Sequence, residues 1–268
     1  MLRVKLSVVC ALGLMTVALG LAGCASTPVD KTLGMSPNAI YAEARDSMDS
    51  GQYDKAIPQF EKLEARAAGT PLAQQAQLDK AYAQYKSAEP AQAIATLDRF
   101  MKLHPASPAL DYALYLKGVV NFNDDLGLFS AVSRQDLSER DQKASKEAFE
   151  SFKELVARFP ESRYAADAAQ RMNYIVGSLA QYEVHVARYY YKRAAYLAAI
   201  NRAQTAVSDY RNVPALEEAL FIIYKSYEAL GMAQLRDDAK RILQTSYPQS
   251  EFLTKGEKTK TEPWWKVW

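Results

Sequence analysis

Few residues in this chain could do chemistry. It holds two cysteines and two histidines in 268 residues. His104 and His185 lie 81 positions apart, the first in a Pro-bearing stretch and the second in a helical one. No pair of His, Cys, Asp or Glu recurs at metal-ligand spacing, and no Gly-rich run could cradle a phosphate. The one residue in a reactive context is Cys24. It ends "LAGC", behind Arg3, Lys5 and an apolar run from Leu6 to Leu21. That order of charge, apolar run and small residues is a processing signal. At 1.5 Å per residue the run is short for the about 30 Å of hydrocarbon in a bilayer. The chemistry it predicts is thioether formation at Cys24, not catalysis.

"LAGC" resembles the lipobox of bacterial lipoproteins, in which the cysteine takes a diacylglycerol and an N-acyl chain and becomes the first mature residue. Residues 1–23 are then a signal peptide and 24–37 a lipidated tether. Ala25 and Ser26 after the cysteine imply export to the outer membrane, with the body hanging into the periplasm. Losing Arg3 and Lys5 lowers the 33 basic residues to 31, equal to the 31 acidic ones. A neutral chain without a basic, aromatic-interleaved run gives no reason to expect nucleic acid. Cys10 leaves with the signal and Cys24 is acylated, so no internal disulfide and no free thiol nucleophile remain.

The elements that follow read as helices, since Gly and Pro number 11 each and good helix formers abound. One phrase recurs, an aromatic or imidazole ring followed by Pro, any residue and Ser: "HPAS" at His104, "FPES" at Phe159, "YPQS" at Tyr247. The residue before Pro resists helix and Pro opens the next one, so each phrase ends one helix and begins another. Apolar residues at helical spacing precede each phrase: Ala56, Ile57, Phe60 and Leu63; Ala93, Ile94, Leu97 and Phe100; Ala148, Phe149, Phe152 and Leu155. Equivalent positions Ala67, His104, Phe159, Tyr210 and Tyr247 are 37, 55, 51 and 37 apart. A period near 34–37 predicts an all-α solenoid of five tetratricopeptide-like helix pairs over 38–251, at roughly 38–66, 71–103, 108–158, 163–211 and 214–247, with a concave inner surface. The third pair carries 18 extra residues, assigned to a loop insert at Asp124–Asp141. The fourth carries 14 extra without a loop-like cluster, which predicts two helices each about two turns longer.

Beyond the repeat pattern, "QQAQLDKAYAQYK" from Gln74, "LDRFMKLHPASPALDYALYLKG" from Leu97, "DLSERD" from Asp136 and "YYYKRAAYLAAINR" from Tyr189 resemble the BamD (ComL) family. Its members are lipoproteins of the outer-membrane β-barrel assembly (BAM) machinery. The likeness runs from Ala39 to about Ser250. One departure is Ala67-Ala68-Gly69, where the family has an aromatic-Pro turn. The resemblance implies a non-enzymatic scaffold on the periplasmic face of the outer membrane, with BamA, other BAM lipoproteins and unfolded outer-membrane proteins as partners and no cofactor.

It also distributes the sites. Tyr182, Tyr189, Arg193, Tyr196 and Ile200 form one helical stripe by spacing, readable either as core with a cationic margin or as an interface rich in Tyr and Arg. The resemblance favours docking of BamA at Tyr189, Arg193, Tyr196, Asn201 and Arg202. It makes Asp136, Arg140 and Asp141 of the insert a contact for accessory lipoproteins, and Tyr53, Gln74, Gln75, Tyr82 and Tyr85 the lining of a groove for the extended C-terminal segment of an unfolded barrel protein. The rival function classes are a peptidoglycan-binding module or weak glycan hydrolase, since the Glu161-Ser162 pair resembles that of lytic transglycosylases, and an escort for another secretion pore. The tail at 252–268 holds Trp264, Trp265 and Trp268, every tryptophan in the chain, and reads either as a cap on the last repeat or as an anchor for a partner or lipid headgroups.

Overall fold

The computed structural model describes residues 32–122 and 142–255. Among them, eleven α-helices and no strands occur: α1 (Pro37–Asp49), α2 (Tyr53–Arg66), α3 (Pro71–Lys86), α4 (Pro90–Leu103), α5 (Leu110–Phe122), α6 (Gln142–Arg158), α7 (Ala165–Lys192), α8 (Tyr196–Asp209), α9 (Ala215–Ala229), α10 (Ala233–Ser246) and α11 (Glu251–Lys255). Odd and even helices pack in succession as five antiparallel pairs, and each pair also touches the first helix of the next. This is the all-α solenoid. Cys24, the insert residues Asp136, Arg140 and Asp141, and the three tryptophans lie outside the described residues.

Two kinds of turn repeat along it. Within a pair, the first helix closes on a residue in left-handed conformation: Gly51, Ala88, Ala194 and Gly231, with φ of 73°, 59°, 58° and 71°. Each turn makes the same two bonds, as in Ala88 N–H to Tyr85 O at 3.1 Å with Glu89 N–H to Gln84 O at 2.9 Å, and Ala194 N–H to Tyr191 O at 2.9 Å with Ala195 N–H to Tyr190 O at 3.0 Å. These satisfy carbonyls that a helix end leaves unbonded. Between pairs, Thr70, Ser107, Ser162 and Ser250 each donate their N–H to the carbonyl three residues back, all at 3.0 Å. The Ala67–Thr70 turn therefore copies the Pro-bearing ones without a proline. Gly69, at φ 80°, supplies the backbone freedom instead.

The rings close the joints. His104 lies against Phe100 at 5.2 Å, and Phe159 and Tyr210 pack on a core that includes Phe152, Leu155 and Ile175. Five such apolar clusters follow one another: four are each shared by neighbouring pairs, and the last joins the fifth pair to α11. A pair alone could not bury its apolar face, so this sharing is what holds the array together.

The fourth pair departs from expectation in one respect. Its lengthening falls entirely on α7, which has 28 residues, while α8 has an ordinary 14. Ala194 and Gly231 are 37 apart, as are Gly51 and Ala88, so the turn at Ala194 keeps the common register and all the excess precedes it. That turn also divides the expected stripe. Tyr182 and Tyr189 belong to α7, Arg193 is its C-cap, and Tyr196 and Ile200 belong to α8, where Ile200 is buried.

Candidate docking surfaces

Along the first helices of pairs one to three, polar groups gather around a buried carboxylate. Asp79 is only 6% exposed. Its Oδ2 accepts from the Tyr41 hydroxyl at 3.0 Å and its Oδ1 from Gln75 Nε2 at 3.0 Å, with the Arg45 guanidinium 3.6 Å away. Burial raises the Asp79 carboxyl above its usual range, although the bonds from Tyr41 and Gln75 oppose it. Burial and the Asp79 charge push the Tyr41 phenol up to about 12. They raise Tyr112 too. Gln75, Asp79 and Tyr112 border a cleft of about 450 Å³ whose lining also includes Asp111, Arg163 and Tyr164.

The row continues into pair four. Tyr164 stacks on Tyr115 at 4.6 Å and leans on Tyr112 at 5.6 Å. Tyr115 donates to Asp167 Oδ2 at 2.8 Å, and Arg171 Nε donates to the same oxygen at 2.7 Å. Burial by itself would raise Asp167, but those two donors hold it below the ordinary carboxylate value. Tyr112 and Tyr164 thus put aromatic faces on the cleft, among polar groups already bonded to one another.

The five residues expected to line a groove are not brought together, and only Gln75 belongs to this cleft. Gln75 borders the cleft and bonds Asp79. Gln74 accepts from the Ser107 hydroxyl at 3.0 Å and so ties a turn to the preceding pair. Tyr53 meets Tyr82 edge-on at 6.4 Å, both packing on the first core cluster. Tyr85 packs on the second cluster, which Tyr82 also borders. Sequence reading missed Tyr41, Asp79, Tyr112 and Tyr164; the i, i+4, i+7 spacing of Gln75, Asp79 and Tyr82 on α3 was the available signal.

At the other end, the junction of α7 and α8 gathers the second predicted set. The Arg193 guanidinium covers the Tyr189 ring at 4.6 Å, and Tyr189 is 49% exposed. Tyr196 rests against Tyr191 at 5.8 Å. Asn201 is exposed, its carbonyl accepting from Thr205. Arg202 is tied inward, donating to Glu183 at 3.1 Å. Leu197, 62% exposed beside these residues, was not foreseen. Beneath the junction, Arg188 grips Glu218 through two bonds of 2.5 and 2.7 Å and fixes α7 to α9. The surface thus presents an Arg-on-Tyr stack and an apolar side chain on a braced support, a composition favoured at interface hot spots.

Among the described residues, no cluster of His, Cys, Asp and Glu could hold a metal ion, and no helix is long and apolar enough to cross a membrane. His104 caps α4, and Glu161 is exposed in a turn.

Comparison with known proteins adds the following. The model of a family described as YfiO, outer membrane lipoprotein, matches residues 34–243. A protein of Neisseria meningitidis serogroup A named outer membrane protein assembly factor BamD is 47% identical over 95% of this chain and 98% of its own. Proteins of the same name from Neisseria gonorrhoeae and Vibrio cholerae are 45% and 34% identical, over 95% and 87% of this chain and 98% and 95% of theirs. Among solved structures, MamA is 18% identical with a TM-score of 0.38, over 83% of this chain and 96% of its own.

Proposed function

The chain belongs to the YfiO family of outer-membrane lipoproteins, which includes the BamD assembly factors, and on that premise we propose that it is a lipid-anchored scaffold for outer-membrane protein assembly. The observation that carries this reading is 47% identity along nearly the whole of both chains to a relative named for that work. Cys24 would bear the acyl chains, holding the solenoid at the periplasmic face of the outer membrane. One acyl chain gives only marginal membrane residence, whereas the combined chains of a lipoprotein cysteine hold firmly.

The two surfaces divide the work. The Tyr189–Arg193 stack, with Tyr196, Leu197 and Asn201, forms the face that docks BamA. The row from Tyr41 through Asp79 and Tyr112 to Tyr164 receives an extended segment of an unfolded barrel protein. Ordering such a segment costs several kcal/mol, so this contact is weak and reversible, as suits a handover. Other BAM lipoproteins complete the partner set, with the insert at Asp136, Arg140 and Asp141 as their contact.

The groove is tested with peptides. The chain without residues 1–23 and with Cys24→Ser binds a peptide that ends in the C-terminal aromatic segment of an outer-membrane barrel, and Tyr112→Ala weakens that binding. Equal binding of a scrambled peptide would remove the groove from the account.

A further inference from the structure

The last helix pair ends differently from the others. Counted from the left-handed turn residue, positions four and eleven along the second helix are Lys55 and Lys62 in pair one, Gln92 and Arg99 in pair two, and Ala198 and Thr205 in pair four. In pair five they are Leu235 and Ile242, which are 46% and 47% exposed, with Met232 at 41% beside them. Leu235, Ile242 and Ser246 run along one edge of α10 by their spacing, beside the buried Ala239. At Ser246 the stripe enters a cleft of about 350 Å³ formed with Glu217, Tyr247, Pro248, Gln249 and Ser250.

That cleft holds an unfinished contact. At the two earlier serine joints the turn hydroxyl reaches an acceptor on the preceding pair, Ser107 to Gln74 at 3.0 Å and Ser162 to Asp111 at 2.7 Å. Ser250 is 5% exposed, and its Oγ has no hydrogen-bond partner. A buried hydroxyl without a partner is costly, and a terminal repeat with an apolar outer face needs a cover.

The covering segment is carried by the chain itself. Helix α11 is pinned to the end of the solenoid by Phe252, which stacks on Phe221 at 5.2 Å. Residues 256–268 continue from it and contain all three tryptophans. From Lys255 to Trp264 the backbone can span about 30 Å, whereas α10 is about 21 Å long. Tethering a few residues away gives such a segment an effective concentration that a separate partner reaches only near millimolar levels. We propose that residues 256–268 fold back as an intramolecular cap, with tryptophan side chains on the Leu235–Ile242 stripe and a donor of the segment meeting the Ser250 hydroxyl. This assignment is independent of which partner docks at the Arg193 face.

Tryptophan fluorescence reports on this segment alone. In the chain without residues 1–23 and with Cys24→Ser, emission is blue-shifted and acrylamide quenches it several-fold less than free indole. The double substitution Leu235→Asp/Ile242→Asp, at half-exposed positions, returns emission to the water-like value and leaves the far-UV circular dichroism unchanged. A second variant guards against loss of folding: Ser250→Ala keeps the fold and partly increases quenching. Water-like emission in the parent overturns the proposal, as does protected emission that Leu235→Asp/Ile242→Asp leaves unaltered. A blue shift that appears only with anionic phospholipid vesicles, or only as protein concentration rises, also overturns it by assigning the indoles to a membrane or to a second copy.

Discussion

Replacing Gly118 with alanine should destabilise the protein even though the site is helical. An ideal Cβ on Gly118 falls 2.4, 2.6 and 2.7 Å from Cε1, Cδ1 and Cζ of Phe152, against about 3.5–4.0 Å for comfortable carbon contact. Phe152 is fully buried, set edge-on to Phe122 at 6.3 Å and tilted against Tyr115 at 6.2 Å. Its ring must therefore retreat by more than an ångström into occupied space. Overpacking of this kind costs about 1–3 kcal/mol, and the gap here belongs at the upper end. Alanine recovers about 1 kcal/mol of helix propensity over glycine. The net loss is about 1–2 kcal/mol, which for a domain of this size lowers the melting midpoint by roughly 2–8 °C. Urea unfolding followed by circular dichroism measures it. Combining Gly118→Ala with Phe152→Leu should cost less than the sum of the single changes, because the smaller side chain vacates the collision. Gly118→Ala as stable as the parent, or strict additivity in the double variant, would refute the packing argument.

Other outcomes follow from the same geometry. Ala88→Gly and Ala194→Gly should each stabilise by about 0.5–1 kcal/mol, since alanine in the left-handed region carries a penalty that glycine avoids, with thermal melts as the check. Glu64→Gln should weaken the buried Lys80, which Glu64 holds at 3.2 Å while also taking Arg99 and Gln77. Burial tends to raise the Glu64 carboxyl, but those donors bring it net below its ordinary value. Its contribution is therefore present above the unfolded-state value and lost as pH falls through the lower folded one, so Glu64→Gln flattens the acid limb of a stability–pH curve. Asp79 has the opposite sign: its folded value is raised, so its contribution is complete in acid and declines as pH rises. Asp79→Asn should accordingly leave stability at neutral pH unchanged or higher, as denaturant midpoints would show, while weakening peptide binding in the cleft.

Much of the architecture was legible because it rests on local chemistry. Ring-Pro-x-Ser at His104, Phe159 and Tyr247 stops and restarts helices through backbone sterics alone, and a glycine marks the turns at Gly51 and Gly231. The turn at Ala194 gave no such mark. Alanine adopts the left-handed conformation there only because the packed helices on either side impose it, and so α7 and α8 read as one stripe with evenly shared extra length. The Ala67–Thr70 turn shows the converse, a departure in sequence that reproduces the backbone geometry. The site residues were harder to find for a similar reason. Asp79 looks like one more polar residue on α3 until Tyr41, 38 positions earlier, and Tyr112, 33 later, are brought around it. Arg202 was expected at the docking face, yet Glu183 on the neighbouring helix accepts from its guanidinium.

That last pair decides which substitution probes the docking face. Arg202→Glu would set a carboxylate against Glu183 and disturb α7, whereas Arg193 covers only the half-exposed Tyr189. A surface change there alters stability by no more than about 0.5 kcal/mol, while reversing a charge inside a desolvated contact costs several kcal/mol of binding. Affinity capture of the full-length protein from solubilised outer membranes, parent beside Arg193→Glu, is the most direct measurement. The parent should bring down BamA, and Arg193→Glu should lose most of it at unchanged abundance and helicity. A parent that captures no BamA, or an Arg193→Glu variant that captures as much as the parent, would contradict docking at this face.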